Sequence, residues 1–465
     1  MPRLMIAGLS GGSGKTIVSM GLLLLLRRAG VEVRAFKKGP DYIDTAWLSW
    51  ASGDAARNLD TWLMGSDIAR ASFVRYGIAA GLNLIEGNRG IFDGFDAAGT
   101  HSSAALARAL DAPVVLVIDA TKMTRTAAAL VLGCQKLDPE LNIGGVVLNN
   151  VNGRRHEQIL REAIESACAI PVLGALPRAL SNPLPERHLG LVPPREHGAM
   201  AALEERLLEL LEGRLDLDAL LSIARSAAPL SAPQICREDL PDGRSLRIGY
   251  IEDAALSFYY PENLEALQYS GAELVPISAL ADSSLASDLH TLYIGDGFPE
   301  THTQSLSANQ AFLVSLRQAC ANGLPVYAEC GGLMLLARSV LWNGKRSAMA
   351  GVFPVDIEVC GKPQGHGYAE LCVDRANPFF PEGTLLRGHE FHYSRIAAGA
   401  DLPTACAVLR GTGCSAGRDG LLVHNAWAGY THLHATATPA WARGMIAAAR
   451  KFAAMRKSPT VSLMV

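Results

Sequence analysis

The stretch "GLSGGSGKT", residues 8–16, has the residue types and spacing of a phosphate-binding loop. It lies between a segment that predicts a strand and one that predicts a helix, which is the context such a loop requires. Loop amides and the helix N-terminus attract phosphate, while a lysine and a threonine can reach the outer phosphates and Mg²⁺. We therefore predict binding of ATP and Mg²⁺ rather than a simple Gly/Ser helix cap. The predicted binding residues are Ser10, Gly11, Gly12, Ser13, Gly14, Lys15 and Thr16.

The loop departs from the common GxxxxGK[ST] spacing, because position 9 is Leu9 and the first glycine is Gly8. Its extra residue resembles the loop of dethiobiotin synthetase and its relatives, which use ATP to activate a carboxylate. Partition-type ATPases carry a signature lysine where this chain has Ser10. The loop therefore favours carboxylate activation over the work of an assembly ATPase.

Acidic residues follow the predicted strands, at the edge where open α/β sheets bind ligands. "FKKGPDYIDTAW" supplies Asp41 and Asp44, and "LIEGNRGIFDG" supplies Glu86 and Asp93. A single aspartate in such a place serves equally well as a helix cap, but a cluster at successive strand ends is typical of a cation site. Mg²⁺ prefers oxygen ligands. The predicted metal ligands are Thr16, Asp41 and Glu86.

The second stretch whose residues could carry out a reaction is "LPVYAECGGLMLLA". It places Cys330 between an apolar strand and an apolar helix. A sharp strand-to-helix turn exposes such a side chain, and the N-terminus of the helix is expected to lower the pKa of the thiol. A cysteine in an apolar run is usually a small core residue. Cys330 differs because two glycines follow it, so we predict that it is a nucleophile.

A cysteine nucleophile needs a base, which can come from a distant part of the sequence. "GYTHLHA" supplies His432 and His434, and their spacing predicts that both lie on one strand and on the same face. Alternation alone does not separate the two histidines as the base. "GHEFHYS" adds His389, Glu390 and His392, but HExxH is absent and only two histidines are close, which argues against a metal site.

Length and composition indicate a globular protein with more than one domain. The chain has 465 residues, 49% of them hydrophobic, and a formal charge of −3, so neither nucleic acid nor membrane is an expected partner. Nine scattered cysteines without a CxxC pair indicate reduced thiols, and the start of the chain lacks a signal-peptide pattern. We expect a cytoplasmic location.

The order of apolar segments predicts the fold class. The first half alternates Val/Ile/Leu strands with helices, which predicts a parallel sheet covered on both faces. A Pro/Ser/Asp-rich stretch precedes a second α/β series with more antiparallel character near its end. We predict an α/β protein with an N-terminal P-loop domain at residues 1–220, a linker at 221–244 and a second domain at 245–465.

Several motifs in one order resemble the cobyrinic acid a,c-diamide synthases over almost the whole chain. They are "KKGPDYID", "ARNLDTWLMG", the "IEG" and "FDG" of residues 85–94, "APVVLVIDA", "PERHLGLVPP" and "FYYPENLEAL". The resemblance implies that residues 245–465 form a class I glutamine amidotransferase-like domain. It also implies that ATP activates the a and c acetate carboxylates of a tetrapyrrole and that glutamine supplies ammonia.

The resemblance further implies roles for individual residues, among them a structural or ammonia-handling role for the "GHEFHYS" segment. In class I amidotransferases a glutamate usually follows the catalytic histidine by two positions; here His434 takes that place, which makes His432 the expected partner of Cys330. Oxyanion donors are expected near Gly297 and Gly331, although Asp296 replaces a glycine that is more usual in the family. The bulky polyanionic substrate is expected at these residues: Lys37, Asp41, Asp44 and Asp93.

Some alternatives stay open at this point. Positive residues beside the activating site, among them Arg89, Lys122 and Arg125, suggest a related tetrapyrrole such as sirohaem, nickel sirohydrochlorin or hydrogenobyrinic acid. A P-loop assembly ATPase with an inactive amidotransferase-like domain is the alternative from another class. A homodimer is compatible with the sequence, which does not fix the oligomeric state.

Overall fold

The computed structural model describes residues 1–178, 184, 186–187, 190–233 and 240–457. The chain divides into two compact units, Met1–Cys236 and Arg237–Val465. Each unit is built from strands and helices around its own sheet, which confirms the predicted fold class. Part of the "PERHLGLVPP" motif and part of the predicted linker lie outside the described residues.

The first unit has a seven-stranded, fully parallel sheet with the order β3-β2-β4-β1-β5-β6-β7. Strands β1, β4 and β5 are buried at almost every position, so both faces of the sheet are covered. The bounds of the strands are β1 (Arg3–Gly8), β2 (Val33–Lys38), β3 (Arg57–Leu59), β4 (Leu82–Glu86), β5 (Val114–Asp119), β6 (Ile143–Val151), β7 (Val172–Pro177), β8 (Glu186–Arg187) and β9 (Gly190–Leu191).

Helices connect these strands, as expected for parallel neighbours. Helix α8 ends at Arg225, so the first residues of the range predicted as linker are helical, and the limits of the linker stay a prediction. The bounds are α1 (Lys15–Arg28), α2 (Ile43–Ser52), α3 (Thr61–Tyr76), α4 (Ser103–Ala109), α5 (Thr126–Leu137), α6 (Arg154–Cys168), the 3₁₀ turn Pro194–Glu196, α7 (Met200–Leu211) and α8 (Leu217–Arg225).

The second unit has a ten-stranded mixed sheet with the order β12-β10-β13-β15-β24-β23-β22-β19-β20-β25. The first five strands are parallel and the others antiparallel. The bounds are β10 (Arg247–Ile251), β11 (Leu256–Phe258), β12 (Glu273–Ile277), β13 (Thr291–Ile294), β14 (Asp296–Gly297), β15 (Val326–Glu329), β16 (Ala337–Trp342), β17 (Lys345–Ala348), β18 (Phe353–Val359), β19 (Gly365–Val373), β20 (Leu385–His392), β21 (Ser394–Gly399), β22 (Thr404–Arg410), β23 (Arg418–Val423), β24 (Ala426–Gly429) and β25 (His432–Leu433).

Two smaller sheets accompany the large one, β17-β16-β18-β21 and β11-β14. The helices are α9 (Pro261–Tyr269), the 3₁₀ turn Pro299–His302, α10 (Thr303–Ala308), α11 (Gln310–Ala321), α12 (Gly331–Leu336) and α13 (Pro439–Lys457). Among the residues described, no helix is both long and apolar enough to cross a membrane.

Strand alternation places the side chains of the second unit in two apolar layers. Leu292 and Ile294 belong to one buried cluster, while Tyr293 between them belongs to the other. Along β15, Tyr327 likewise lies in the same cluster as Tyr293. The last residue of β15, Glu329, follows Tyr327 by two positions and therefore faces the tyrosine layer.

Candidate active sites

The phosphate loop has the backbone shape that its glycines allow. It runs from Gly8 at the end of β1 to Gly14, which precedes α1 with a φ of 97°. A Cβ atom on Gly14 would lie 2.2 Å from Asn149 Nδ2, and one on Gly8 would lie 2.2 Å from Ser13 Oγ. Asn149 at the end of β6 donates to the Ser13 carbonyl at 3.0 Å. The loop is therefore held against the sheet, with no room for side chains at these two glycines.

Lys15 is folded back over the loop. Its Nζ donates to the Ser10 carbonyl at 2.9 Å and to the Arg89 carbonyl at 2.8 Å. Burial lowers the pKa of Lys15, and repulsion from Lys37 adds to that shift. A bound phosphate would provide the negative charge that this buried ammonium lacks, so the lysine is suited to the predicted contact with the outer phosphates.

Further predicted site residues meet around Lys37, at the ends of strands β2 and β4. The side chain of Lys37 is 2% exposed. Its Nζ donates to Asp44 Oδ2 at 2.6 Å and to Glu86 Oε1 at 2.7 Å. Thr16 Oγ1 donates to the same Glu86 oxygen at 3.0 Å. The lysine, two carboxylates and the threonine of the loop thus form one connected polar cluster.

The cluster suits a divalent cation. Glu86 is fully buried, and among the described residues its Oε2 has no hydrogen-bond partner, whereas Oε1 has two. Burial raises the pKa of Asp41, and repulsion from Asp44 raises it further. An unpartnered buried oxygen beside Thr16, together with carboxylates that repel one another, fits the oxygen ligands that Mg²⁺ prefers.

Asp41 and Asp93 also have structural roles. Asp41 Oδ1 accepts the Asp44 amide at 2.7 Å at the start of α2, which is a helix-capping contact. Asp93 is exposed, and its Oδ2 accepts the Gly90 amide at 2.8 Å within a tight turn. Asp93 nevertheless raises the pKa of Lys15 electrostatically, so it lies beside the phosphate loop.

In the second unit, Cys330 occupies the sharp turn between β15 and α12. Its φ of 46° and ψ of −93° are strained for a residue with a side chain. The Cys330 amide donates to the Gly429 carbonyl at 2.7 Å, and the Cys330 carbonyl accepts from the Met334 amide at 3.1 Å. A Cβ on Gly332 would lie 2.7 Å from the Ile294 carbonyl. The turn therefore depends on the small residues after the cysteine, as expected for a nucleophile presented by strain.

His432 lies beside Cys330 and has a carboxylate on its far side. Ligand atoms of Cys330, His432 and Asp296 all lie within 4.8 Å of one another. Nδ1 of His432 is 3.5 Å from Glu329 Oε2. Burial opposes protonation of His432, but Glu329 and Asp296 outweigh burial and raise the pKa of the imidazole. A thiol, an imidazole and a buried carboxylate in this order have the parts of a catalytic triad.

Glu329 is itself fixed by the fold. Its Oε1 accepts the Leu433 amide at 3.1 Å, and its Oε2 accepts the Tyr293 hydroxyl at 3.2 Å. It is 1% exposed. Because one carboxylate binds both the backbone of β25 and the imidazole that β25 carries, Glu329 fixes the position of His432 relative to the strand.

Asp296 makes contacts that the sequence did not predict. Its Oδ1 accepts the Gly331 amide at 2.8 Å, and its Oδ2 is 3.6 Å from His432 Nε2. Gly331 was predicted as an oxyanion donor, and the structure directs its amide to this carboxylate. A Cβ on Gly331 would lie 3.1 Å from the Gly297 nitrogen, so the two predicted donor residues are adjacent.

The expected lowering of the thiol pKa is wrong. Burial raises the pKa of Cys330 well above its ordinary value, and Asp296, by its charge and a hydrogen bond, and Glu300 raise it further. The helix that follows has only six residues. Two nearby carboxylates and a buried position therefore outweigh the helix N-terminus, and the thiol is protonated in this arrangement.

His434 has different surroundings, and the expectation that both histidines share a strand is wrong. Strand β25 ends at Leu433, and the carbonyl of His434 accepts amides in a turn that leads to α13. Nδ1 of His434 accepts the Thr436 amide at 3.2 Å, and its Nε2 is 3.6 Å from Glu262 Oε2. Tyr260 packs against its ring with centroids 4.6 Å apart.

The His-Glu-His segment of β20 lies beside His432. The ring of His389 is 4.8 Å from that of His432, and burial followed by repulsion from His432 lowers the pKa of His389 well below its ordinary value. Glu390 accepts the amide of Gly413 at 2.9 Å, and His392 stacks on Tyr430 at 3.7 Å. These contacts support the structural interpretation of the segment.

Sequence reasoning missed three supporting residues. Glu329 could have been noticed as an acidic residue inside an apolar strand, and Asn149 as a polar residue at a strand end. Asp419 offered no signal. It accepts the amides of Tyr430 and Thr431, each at 3.1 Å, and so holds the segment before His432.

Comparisons with known proteins assign both parts of the chain to families. Residues 4–191 match the family described as CobQ/CobB/MinD/ParA nucleotide binding domain, and residues 247–440 match the CobB/CobQ-like glutamine amidotransferase domain. The cobyrinate a,c-diamide synthase of Magnetococcus marinus is 44% identical over 95% of this chain and 96% of that protein. The chain belongs to the cobyrinate a,c-diamide synthase family.

Two further members of the cobyrinate a,c-diamide synthase family cover the chain equally well. The protein from Syntrophotalea carbinolica is 40% identical over 96% of this chain and 98% of its own length. The protein from Methanothermobacter thermautotrophicus is 38% identical over 95% and 98%. The prediction of an ATP-dependent carbon–nitrogen ligase that takes its nitrogen from glutamine is confirmed by family membership.

Proposed function

We propose that this protein amidates the a and c acetate carboxylates of cobyrinic acid, with ATP and glutamine as co-substrates and an acyl phosphate as intermediate. The relatives are named for that substrate and those two positions. A carboxylate does not react with ammonia at neutral pH. One site must therefore make a better electrophile while another releases ammonia, and each unit contains residues suited to one of these tasks.

In the first unit, a substrate carboxylate oxygen attacks the γ-phosphorus of ATP, and ADP leaves. The loop amides and Lys15 hold the phosphates and stabilise the charge that develops on them. Thr16, Asp41 and Glu86 would hold Mg²⁺, which neutralises phosphate oxygens when bound. Lys37 orients Asp44 and Glu86 through its two short ion pairs. Ammonia then attacks the acyl phosphate, inorganic phosphate leaves, and an amide remains.

In the second unit, His432 Nε2 takes the proton of the Cys330 thiol as sulfur attacks the side-chain amide of glutamine. The oxyanion is stabilised by backbone amides near Gly331 and Gly297. The imidazolium returns the proton to the leaving nitrogen, ammonia departs, and a glutamyl thioester remains. Water then hydrolyses the thioester to glutamate. Glu329 stabilises the imidazolium from its Nδ1 side, which is 3.5 Å away.

The observation that carries this proposal is the Cys330, His432 and Glu329 arrangement in a chain that also has a phosphate loop beside a carboxylate cluster. Its test uses MgATP and a panel of tetrapyrrole acids, with glutamine or ammonium as the nitrogen source. We expect Cys330→Ala to lose glutamine-dependent amidation and to retain ammonia-dependent amidation, counted by product mass. A variant that is inactive with both nitrogen sources, while its melting temperature is unchanged, contradicts the division of labour.

The panel also tests the substrate. Two mass increments on cobyrinic acid, in a reaction that consumes ATP, support the proposal. Amidation of sirohaem, nickel sirohydrochlorin or hydrogenobyrinic acid in preference to cobyrinic acid would move the assignment to that tetrapyrrole. ATP hydrolysis without glutaminase activity, and without amidation of any tetrapyrrole of the panel, would favour the assembly ATPase instead.

A further inference from the structure

Asp296 lies beside three of the groups that the proposed glutaminase reaction uses. Its Oδ1 accepts the Gly331 amide at 2.8 Å, which is the amide expected to stabilise the oxyanion. Its Oδ2 lies 3.6 Å from His432 Nε2, the nitrogen that must take the thiol proton. A carboxylate oxygen of the same side chain lies within 4.8 Å of the Cys330 Sγ. One carboxylate thus lies beside the donor, the base and the nucleophile.

These contacts are incompatible with bound substrate in its reacting position. The carbonyl oxygen of glutamine must approach the Gly331 amide while its carbon approaches Cys330 Sγ. A Cβ on Gly331 would lie 2.8 Å from Asp296 Oδ1, so the carboxylate already fills the space beside that amide. A hydrogen bond from an amide to a carboxylate is also stronger than one to a neutral carbonyl.

We propose that Asp296 is a latch on the glutaminase site, which holds the Gly331 amide and the Cys330–His432 pair inactive until glutamine displaces its carboxylate. The inference rests on the proposed function of Cys330 and His432 as the glutaminase pair. The carboxylate resembles the developing oxyanion in its negative charge and in its donor, so it competes with the transition state as well as with bound glutamine. Its removal lowers the free energy needed to assemble the reacting complex.

The alternative role of a carboxylate at this place is assistance. An anion 3.6 Å from His432 Nε2 stabilises the imidazolium, as Glu329 does from Nδ1. Assistance needs only the contact with the histidine, however, and leaves no use for the hydrogen bond to the Gly331 amide. The latch accounts for both oxygens of Asp296. The two roles predict opposite effects when the side chain is removed.

The test compares Asp296→Ala, which removes the whole carboxyl group, with Asp296→Asn, which keeps an acceptor for the Gly331 amide but loses the charge. We expect Asp296→Ala to lower KM for glutamine and to raise glutaminase kcat/KM at least about tenfold, since an amide–carboxylate hydrogen bond no longer opposes binding. Asp296→Asn should give a smaller gain. Iodoacetamide should alkylate Cys330 faster in both variants at a fixed pH.

The controls separate this inference from the proposed function. Asp356→Asn removes a buried carboxylate of the same unit whose partners are Arg338, Arg346 and Ser339, and it should change glutaminase less than twofold. Ammonia-dependent synthesis should be unchanged in all variants. If Asp296→Ala lowers glutaminase kcat/KM, or changes neither kcat/KM nor the alkylation rate, the latch is wrong. A wild-type protein without glutaminase activity, but with faster alkylation in Asp296→Ala, overturns the proposed function and leaves the latch on the thiol intact.

Discussion

The substitution Glu329→Gln should separate the orienting carboxylate from the rest of the glutaminase site. Glutamine keeps the shape of the side chain and an oxygen that can accept the Leu433 amide, now at 3.1 Å. It loses the charge that lies 3.5 Å from His432 Nδ1. A full charge pair at that distance is worth about 5 kcal/mol at an effective dielectric of 20. Desolvation reduces the loss to about 2–4 kcal/mol, which corresponds to about a 30- to 1000-fold decrease in glutaminase kcat.

Glu262→Gln is the matched control, because it makes the same change 3.6 Å from His434 Nε2. Glutamate release measures glutaminase, ammonia-dependent amidation measures the other unit, and the melting temperature reports folding. We expect Glu262→Gln to change glutaminase less than about threefold. Equal losses in the two variants, or a larger loss in Glu262→Gln, would refute the reasoning and make His434 the base.

Two further predictions concern the first unit and the stability of the second. Asp44→Asn removes the ion pair between Asp44 Oδ2 and Lys37 Nζ, which are 2.6 Å apart. It should reduce amidation at least tenfold and leave glutaminase activity unchanged. Equal loss of both activities would count against a role of Asp44 at the activating site. Asp356 accepts hydrogen bonds from Arg338 and Ser339, which hold its pKa well below the usual range. Such a group stabilises the fold above the unfolded pKa of about 4, so Asp356→Asn should lower the free energy of unfolding by about 1–2 kcal/mol at pH 7. In denaturant titrations the difference from wild type should shrink steadily as the pH falls below about 4, and a difference that does not shrink would show that packing rather than charge is responsible.

The fold was largely predictable because local sequence patterns indicate most of its strands and helices. Strand β5 is a continuous apolar run, and helix α5 follows it with the sequence "TAAALVLGCQKL", which is rich in residues that favour helices. The short strand β3, only three residues long, has no such pattern and was missed. Periodicity identifies long elements whose burial is set by their own sequence, whereas a three-residue strand exists because its neighbours supply the hydrogen bonds.

The site was predictable where chemistry depends on a local motif, and less so where it depends on distant contacts. Cys330 was found from the turn that its glycines allow. The role of Glu329 depends on β25, which lies about a hundred residues later in the chain, and nothing in its own strand indicates that pairing. The prediction that His432 and His434 share a strand was wrong because β25 ends at Leu433, one residue before His434. The pKa of Cys330 is raised by burial and then by Asp296, a residue that only folding brings close.

The most direct test of the central claim is the fate of nitrogen. The protein is incubated with MgATP, cobyrinic acid and glutamine that carries ¹⁵N in its side-chain amide, and the tetrapyrrole is analysed by mass spectrometry. The account predicts a product with two ¹⁵N-labelled amides, and no labelled product from Cys330→Ala unless labelled ammonium is supplied. Labelled ammonia that accumulates in solution while the tetrapyrrole stays unlabelled would contradict it.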